Sequence, residues 1–154
     1  MNLLYCAAYV ALIGILSNPV AALFPRSWFD PDKFPFRSFP WEQEGKIYHK
    51  LHIRAWKDRV PDMSKVLKNL VRKEIPSKPS VESLDLLARE ACVAEFVHAA
   101  LILLSLGVVK IWPGPGGWIC WLLCILGNLP FMIIQRYNRP RLVRSRDRLR
   151  QTSK

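Results

Sequence analysis

Residues 93–134 read VAEFVHAALILLSLGVVKI (93–111), WPGPGG (112–117) and WICWLLCILGNLPFMII (118–134). The first run is apolar except for Glu95, His98 and Lys110, and the last carries no charge. A helix that crosses a bilayer needs ~20 mainly apolar residues, within a range of ~17 to 25. Pro113-Gly-Pro-Gly-Gly117 between the runs is a strong turn. The stretch therefore reads as two membrane helices in an antiparallel hairpin. Upstream, residues 3–24 form a further uncharged run of spanning length. That run lacks the basic start of a secretory leader, so a retained helix is expected, although Asn18-Pro-Val-Ala-Ala22 ends in the small residues of a cleavage site. The expected fold is an all-α integral membrane protein. It has about three transmembrane helices, near 3–24, 81–111 and 117–136, with interfacial amphipathic helices over 25–80 and a basic tail over 137–154.

The formal net charge is +11 over 154 residues. Such a balance suits nucleic acid or an anionic membrane surface. Here fourteen Lys or Arg lie between Phe24 and Val93 and eight more from Arg136 to the end, while 112–117 has none. Basic stretches directly following apolar runs favour the bilayer as partner and no nucleic acid. The bias of basic loops predicts a multi-pass protein of the cell membrane with the N-terminus outside, residues 25–91 inside and the C-terminus cytoplasmic. Cys6, Cys92, Cys120 and Cys124 fall in or beside apolar runs, where they read as small hydrophobes and not as a disulfide framework.

Between Pro25 and Trp41 stand four prolines (25, 31, 35 and 40) and six aromatics (Trp28, Phe29, Phe34, Phe36, Phe39, Trp41), which reads as an irregular segment at headgroup depth. Residues 42–58 then read as an imperfect amphipathic helix, and 63–75 as a second, ended by Pro76 and Pro79. Ser80 or Ser83 caps the next helix, with Glu82 and Asp85 in its first turn. Asn128 and Pro130 interrupt the last helix near its inner half.

Glu95 and His98 lie i, i+3 and share a helix face. An ionisable group at bilayer centre costs ~2.5–3.5 kcal/mol on insertion scales, so its presence beside a histidine points to proton transfer. The competing reading is a polar pair that bonds helix two to Asn128. His49 and His52 form another i, i+3 pair, but helical di-iron sites need two E-x-x-H motifs and two further carboxylates; this chain has one such motif and three histidines, so no metal is expected. In Gln135-Arg-Tyr-Asn-Arg-Pro-Arg-Leu142, Tyr137 reads as an interface anchor and the arginines as snorkelling to headgroups or binding a phosphate-bearing ligand. Nucleotide-loop, G-x-S-x-G and zinc-pair patterns are absent from the sequence.

Several short motifs occur in order: Phe36-Arg-Ser-Phe39 with Glu42, Gly45 and Lys46; Trp56-Lys57 before Pro61-Asp62; Ala94-Glu95-x-x-His98; Asn128-x-Pro130; and Gln135 to Leu142. On these, residues 34–142 resemble the glycosyl-4,4′-diaponeurosporenoate acyltransferase family, small bacterial membrane enzymes of carotenoid glycolipid synthesis. The resemblance implies transfer of a fatty acyl group from an acyl thioester (acyl-CoA or acyl-carrier protein) to a hydroxyl of a glycolipid or lysolipid, with no cofactor. The H-x-x-x-x-D motif of soluble-loop glycerolipid acyltransferases is absent, so the catalytic solution differs. In that setting His98 is expected as general base, oriented by Glu95. Asn128, or backbone groups at Pro130, support the oxyanion. Arg136, Arg139, Arg141 and Lys57 bind donor phosphates, and Trp41, Tyr48 and Trp56 form an acceptor platform. The alternative is a non-enzymatic membrane scaffold that binds anionic lipid; a metal-dependent oxidoreductase is a third reading. A bundle of three helices is thin enough to suit a homodimer.

Overall fold

A computed structural model describes residues 1–60 and 79–152; the helix expected over 63–75 and the Pro61-Asp62 motif lie outside the described residues. In chain order the elements are α1 (Asn2–Leu23), a 3₁₀ turn (Arg26–Trp28), a 3₁₀ segment (Pro40–Leu51), α2 (Ile53–Trp56), a 3₁₀ turn (Lys57–Arg59), α3 (Val81–Ser105), α4 (Val108–Ile111) and α5 (Pro115–Thr152). Three helical spans, Asn2–Leu23, Val81–Ile111 and Pro115–Thr152, are long and apolar enough to cross a membrane. The described residues contain no β-strand, so the all-α membrane class read from hydropathy holds.

α1 ends at Phe24 because Pro25 follows and disfavours helical backbone before it. α3 starts where Ser80 accepts a hydrogen bond from the Ser83 backbone N–H at 3.1 Å and its own N–H donates to Ser83 Oγ at 2.9 Å. A turn at Leu106-Gly107 separates α3 from α4. A Cβ on Gly107 would lie 2.7 Å from Tyr9 Oη and would push aside that ring, whose hydroxyl donates to the Leu104 carbonyl at 2.8 Å. Val81–Ile111 has 31 residues and α5 has 38. At ~1.5 Å per residue both exceed a ~30 Å hydrocarbon core, so both run beyond it at the basic end.

There they form a stalk. Leu84, Leu87, Ala88 and Ala91 are buried, and Arg146 reaches Asp85 at 2.8 Å and Asp32 at 2.8 Å. This packing explains why α5 continues through residues 137–152, where a separate tail was expected. The aromatic segment closes one side of the stalk: Phe29 and Phe36 are buried with Ala21, Cys92 and Val93. Arg26 ties it down through Glu90 and the carbonyls of Ala21 and Phe24.

The amphipathic helix expected over 42–58 is not continuous. Gln43, Glu44 and Gly45 adopt positive φ, and so does His52. The break follows from packing against α5: a Cβ on Gly45 (φ +86°) would lie 3.2 Å from the Tyr137 carbonyl oxygen. Left-handed backbone at that glycine lets the segment lie directly on the main chain of α5.

Candidate functional site

The α3-facing stripe of α5 carries Asn128, Phe131, Gln135 and Arg139, spaced three or four residues apart as one helix face requires. Opposite it, α3 presents Glu95 and His98. Two tiers result, one helical turn apart.

The upper tier is ionic. Arg136 Nε donates to Glu95 Oε1 at 2.7 Å, and Arg139 donates to Glu95 Oε2. Arg136 Nη1 also donates to Glu42 Oε2 at 2.8 Å, and its Nη2 to the Pro35 carbonyl at 2.8 Å. Glu42 accepts further bonds from the Phe39 backbone N–H at 2.7 Å and from the Tyr48 hydroxyl. The rings of Phe39 and Phe36 lie 4.7 Å and 5.8 Å from the Arg136 and Arg139 guanidinium carbons. The Glu42 and Arg139 side chains are 1% and 2% exposed. Two carboxylates and two guanidiniums leave the tier formally neutral, the condition under which buried charge is tolerated. Burial, reinforced by the bond to Glu42, raises the Tyr48 phenol above its ordinary value.

The lower tier is the imidazole. His98 Nδ1 lies 2.8 Å from Asn128 Oδ1, and Asn128 Nδ2 donates to the Cys124 carbonyl at 2.8 Å. With the amide nitrogen committed to a carbonyl, the amide oxygen faces the ring, so Nδ1 carries the proton and Nε2 is the acceptor; this tautomer is assigned from the network. Phe131 stacks on the imidazole with centroids 4.5 Å apart and planes at 13°.

The structure does not bring all the expected site residues together. The bond on His98 Nδ1 comes from Asn128, while both oxygens of Glu95 engage arginines. Asn128, expected to support an oxyanion, places its amide oxygen on the His98 ring and its amide nitrogen on the Cys124 carbonyl. Pro130 has no N–H, so it deprives the Leu126 carbonyl of a partner and adds an acceptor where oxyanion support needs a donor. Arg136 and Arg139, expected to bind donor phosphates, engage the carboxylates of Glu42 and Glu95. Lys57 pairs with Asp58 at 2.8 Å. Arg141 is exposed and carries no carboxylate among the described residues. Tyr137, expected at the interface, is 1% exposed and packs with Tyr48 and Ile53. Of the three residues expected as an acceptor platform, Tyr48 is buried, Trp56 donates its indole N–H to the Leu51 carbonyl at 2.9 Å, and Trp41 is exposed and stacked on Phe39. His49 sets its ring edge against Tyr137. Among the described residues no group of three or more His, Cys, Asp or Glu is placed to hold a metal.

The roles of Glu42 and Tyr48 were missed. Glu42 stood in a recognised motif, and matching the acids near the membrane boundary to Arg136 and Arg139 would have exposed the pairing.

The family described as glycosyl-4,4′-diaponeurosporenoate acyltransferase matches residues 25–148. A Staphylococcus aureus (strain MRSA252) protein named glycosyl-4,4′-diaponeurosporenoate acyltransferase is 27% identical over 141 residues, covering 90% of this chain and 84% of the relative. Proteins of the same name from strains USA300 and Newman are 26% identical over the same coverage. No solved structure matches the chain.

Proposed function

The chain belongs to the glycosyl-4,4′-diaponeurosporenoate acyltransferase family, and from that premise we propose that it moves a fatty acyl group from an acyl thioester to a hydroxyl of a glycosylated carotenoid or a related lipid. The acyltransferase class comes from the family. The donor, the acceptor and the residues that follow are our reading, as is an orientation with the basic end in the cytoplasm.

One observation carries the mechanism: His98 is held through Nδ1 by Asn128, whose own amide is fixed on a backbone carbonyl. That geometry leaves Nε2 as the basic nitrogen. His98 Nε2 takes the proton of the acceptor hydroxyl while the oxygen attacks the thioester carbonyl carbon. The tetrahedral intermediate collapses, the C–S bond breaks, and the imidazolium returns its proton to the departing thiolate. Products are an ester and a free thiol. Asn128 is a positioning residue. Glu95 is one too, because it holds α3 against α5 one turn away through Arg136 and Arg139. The acyl chain has an apolar place across α3 from His98: a cavity of about 210 Å³ between α1 and α3, lined by residues including Leu16, Val20, Phe96, Ala100 and Leu104.

The test is mass-spectrometric detection of acylated product from protein in nanodiscs, supplied with acyl-CoA or acyl-carrier protein and a panel of glycolipid and lysolipid acceptors. Ester product from the wild type, lost in folded His98→Ala, is the expected result. Equal product from both proteins places the chemistry away from His98.

A further inference from the structure

On the opposite side of α5 from His98 we propose a second binding site, built by Arg54, Arg141 and Tyr137, that takes a phosphate group. Tyr137 lies nine residues beyond Asn128, two and a half turns at 3.6 residues per turn, which sets it on the far face of the helix. The site does not depend on the chemistry at His98.

Two guanidiniums converge there on one phenol oxygen. Arg54 Nε donates to the Tyr137 hydroxyl at 3.2 Å and Arg141 Nη1 donates to the same oxygen at 2.7 Å. The two guanidinium nitrogens therefore lie within about 6 Å of one another. Arg141 also covers the Tyr137 ring, its guanidinium carbon 4.8 Å from the centroid. The hydroxyl, accepting from both, donates its own proton to no described residue. Neither arginine has a carboxylate within 4.0 Å among the described residues. Along α5, Arg136, Arg139, Arg144 and Arg146 each meet an acidic side chain, while Arg141 between them, like Arg148 and Arg150 near the helix end, meets none among the described residues.

Two like charges this close repel unless a counter-charge joins them. Planar guanidinium forks suit phosphate oxygens, and the buried Tyr137 hydroxyl, accepting from both arginines, holds the two forks side by side. Both arginines are exposed, so a ligand reaches them, while Tyr48, Ile53, Ile133 and Ile134 pack around the tyrosine beneath. The phosphate belongs either to a membrane lipid headgroup or to the soluble acyl donor; both present the same oxygens.

Native mass spectrometry of the detergent-solubilised full chain distinguishes these sources. Phosphatidylglycerol, coenzyme A and phosphate-free diacylglycerol are titrated separately into wild type, Arg54→Gln/Arg141→Gln and Arg148→Gln/Arg150→Gln. The last pair removes equal charge from the tail of α5, and thermal unfolding checks that each variant folds. The expected result is one adduct of phosphatidylglycerol or coenzyme A weakened at least about tenfold in Arg54→Gln/Arg141→Gln and retained in Arg148→Gln/Arg150→Gln. The ligand that behaves so names the source. Binding of both phosphate ligands that is unchanged in the first variant, or weakened equally in the second, overturns the site, as does equal binding of diacylglycerol.

Discussion

The two interfaces of α3 are built differently. Against α5 it is crossed by side-chain bonds from end to end: Asp85 to Arg146, Glu95 to Arg136 and Arg139, His98 to Asn128, and the Trp121 indole N–H to the Ile102 carbonyl at 3.0 Å. Against α1 it is apolar, with the Tyr9 hydroxyl bond to Leu104 near one end and an open cavity beside it. One face of the helix is pinned in a single register, and the other leaves room for hydrocarbon. In the mechanism proposed above, the base needs fixed geometry and the acyl chain needs space, and the contrast would place these two demands on two sides of one helix.

Breaking the pinned face at its base has the largest expected effect. His98→Ala should lower the acyl-transfer rate by ~10²- to 10⁴-fold, the usual contribution of a positioned general base, with the protein folded; product quantified per enzyme checks it. Arg139→Ala leaves Glu95 short of a partner in a buried tier, and removal of one member of a buried pair costs ~3–5 kcal/mol. Thermal unfolding in nanodiscs should show that loss, and activity should fall with it. Asn128→Leu strips the acceptor from the half-buried His98 Nδ1; an unsatisfied donor costs up to ~1–3 kcal/mol, so a rate loss of up to roughly 5- to 150-fold without unfolding is expected. On the open face the effect is smaller and of another kind. Ala100→Phe fills the cavity, and should depress use of long-chain donors several-fold relative to short-chain ones in paired assays, while short-chain turnover stays near wild type.

The smallest effect is at the edge of the pinned face. The Tyr48 phenol is raised above its ordinary value by burial and by Glu42. A raised pKa means that the folded state keeps a proton the unfolded chain releases, so the contribution is complete below pH ~10 and declines as pH rises beyond it. Unfolding temperature measured against pH should fall less steeply above pH ~10 in Tyr48→Phe than in wild type.

Much of this fold was legible because hydropathy reports burial in lipid residue by residue: three uncharged or nearly uncharged runs and a Pro-Gly turn suffice for three spans. The segment over 42–58 was not. Its polar and apolar residues alternate roughly as in a helix, yet Gly45 must approach the backbone of α5, and that demand comes from a partner about ninety residues away. The site split along the same line. Glu95 and His98 stood out as polar groups in an apolar run, and Asn128 as the group within their reach. The arginines did not declare their partners, because a guanidinium that binds phosphate and one that neutralises Glu42 and Glu95 look alike in one dimension. Arg136 and Arg139 took the second role, and Arg141, in the same motif, was left without a carboxylate among the described residues.

The most direct test of the central claim is chemical rescue of His98→Ala. Acyl transfer by the folded variant is followed by mass spectrometry as imidazole is added. A rate that is depressed without imidazole and rises in proportion to its concentration, while wild type is unaffected, is predicted if a basic ring nitrogen at this position takes the acceptor's proton. A folded His98→Ala that turns over at the wild-type rate without imidazole would contradict it.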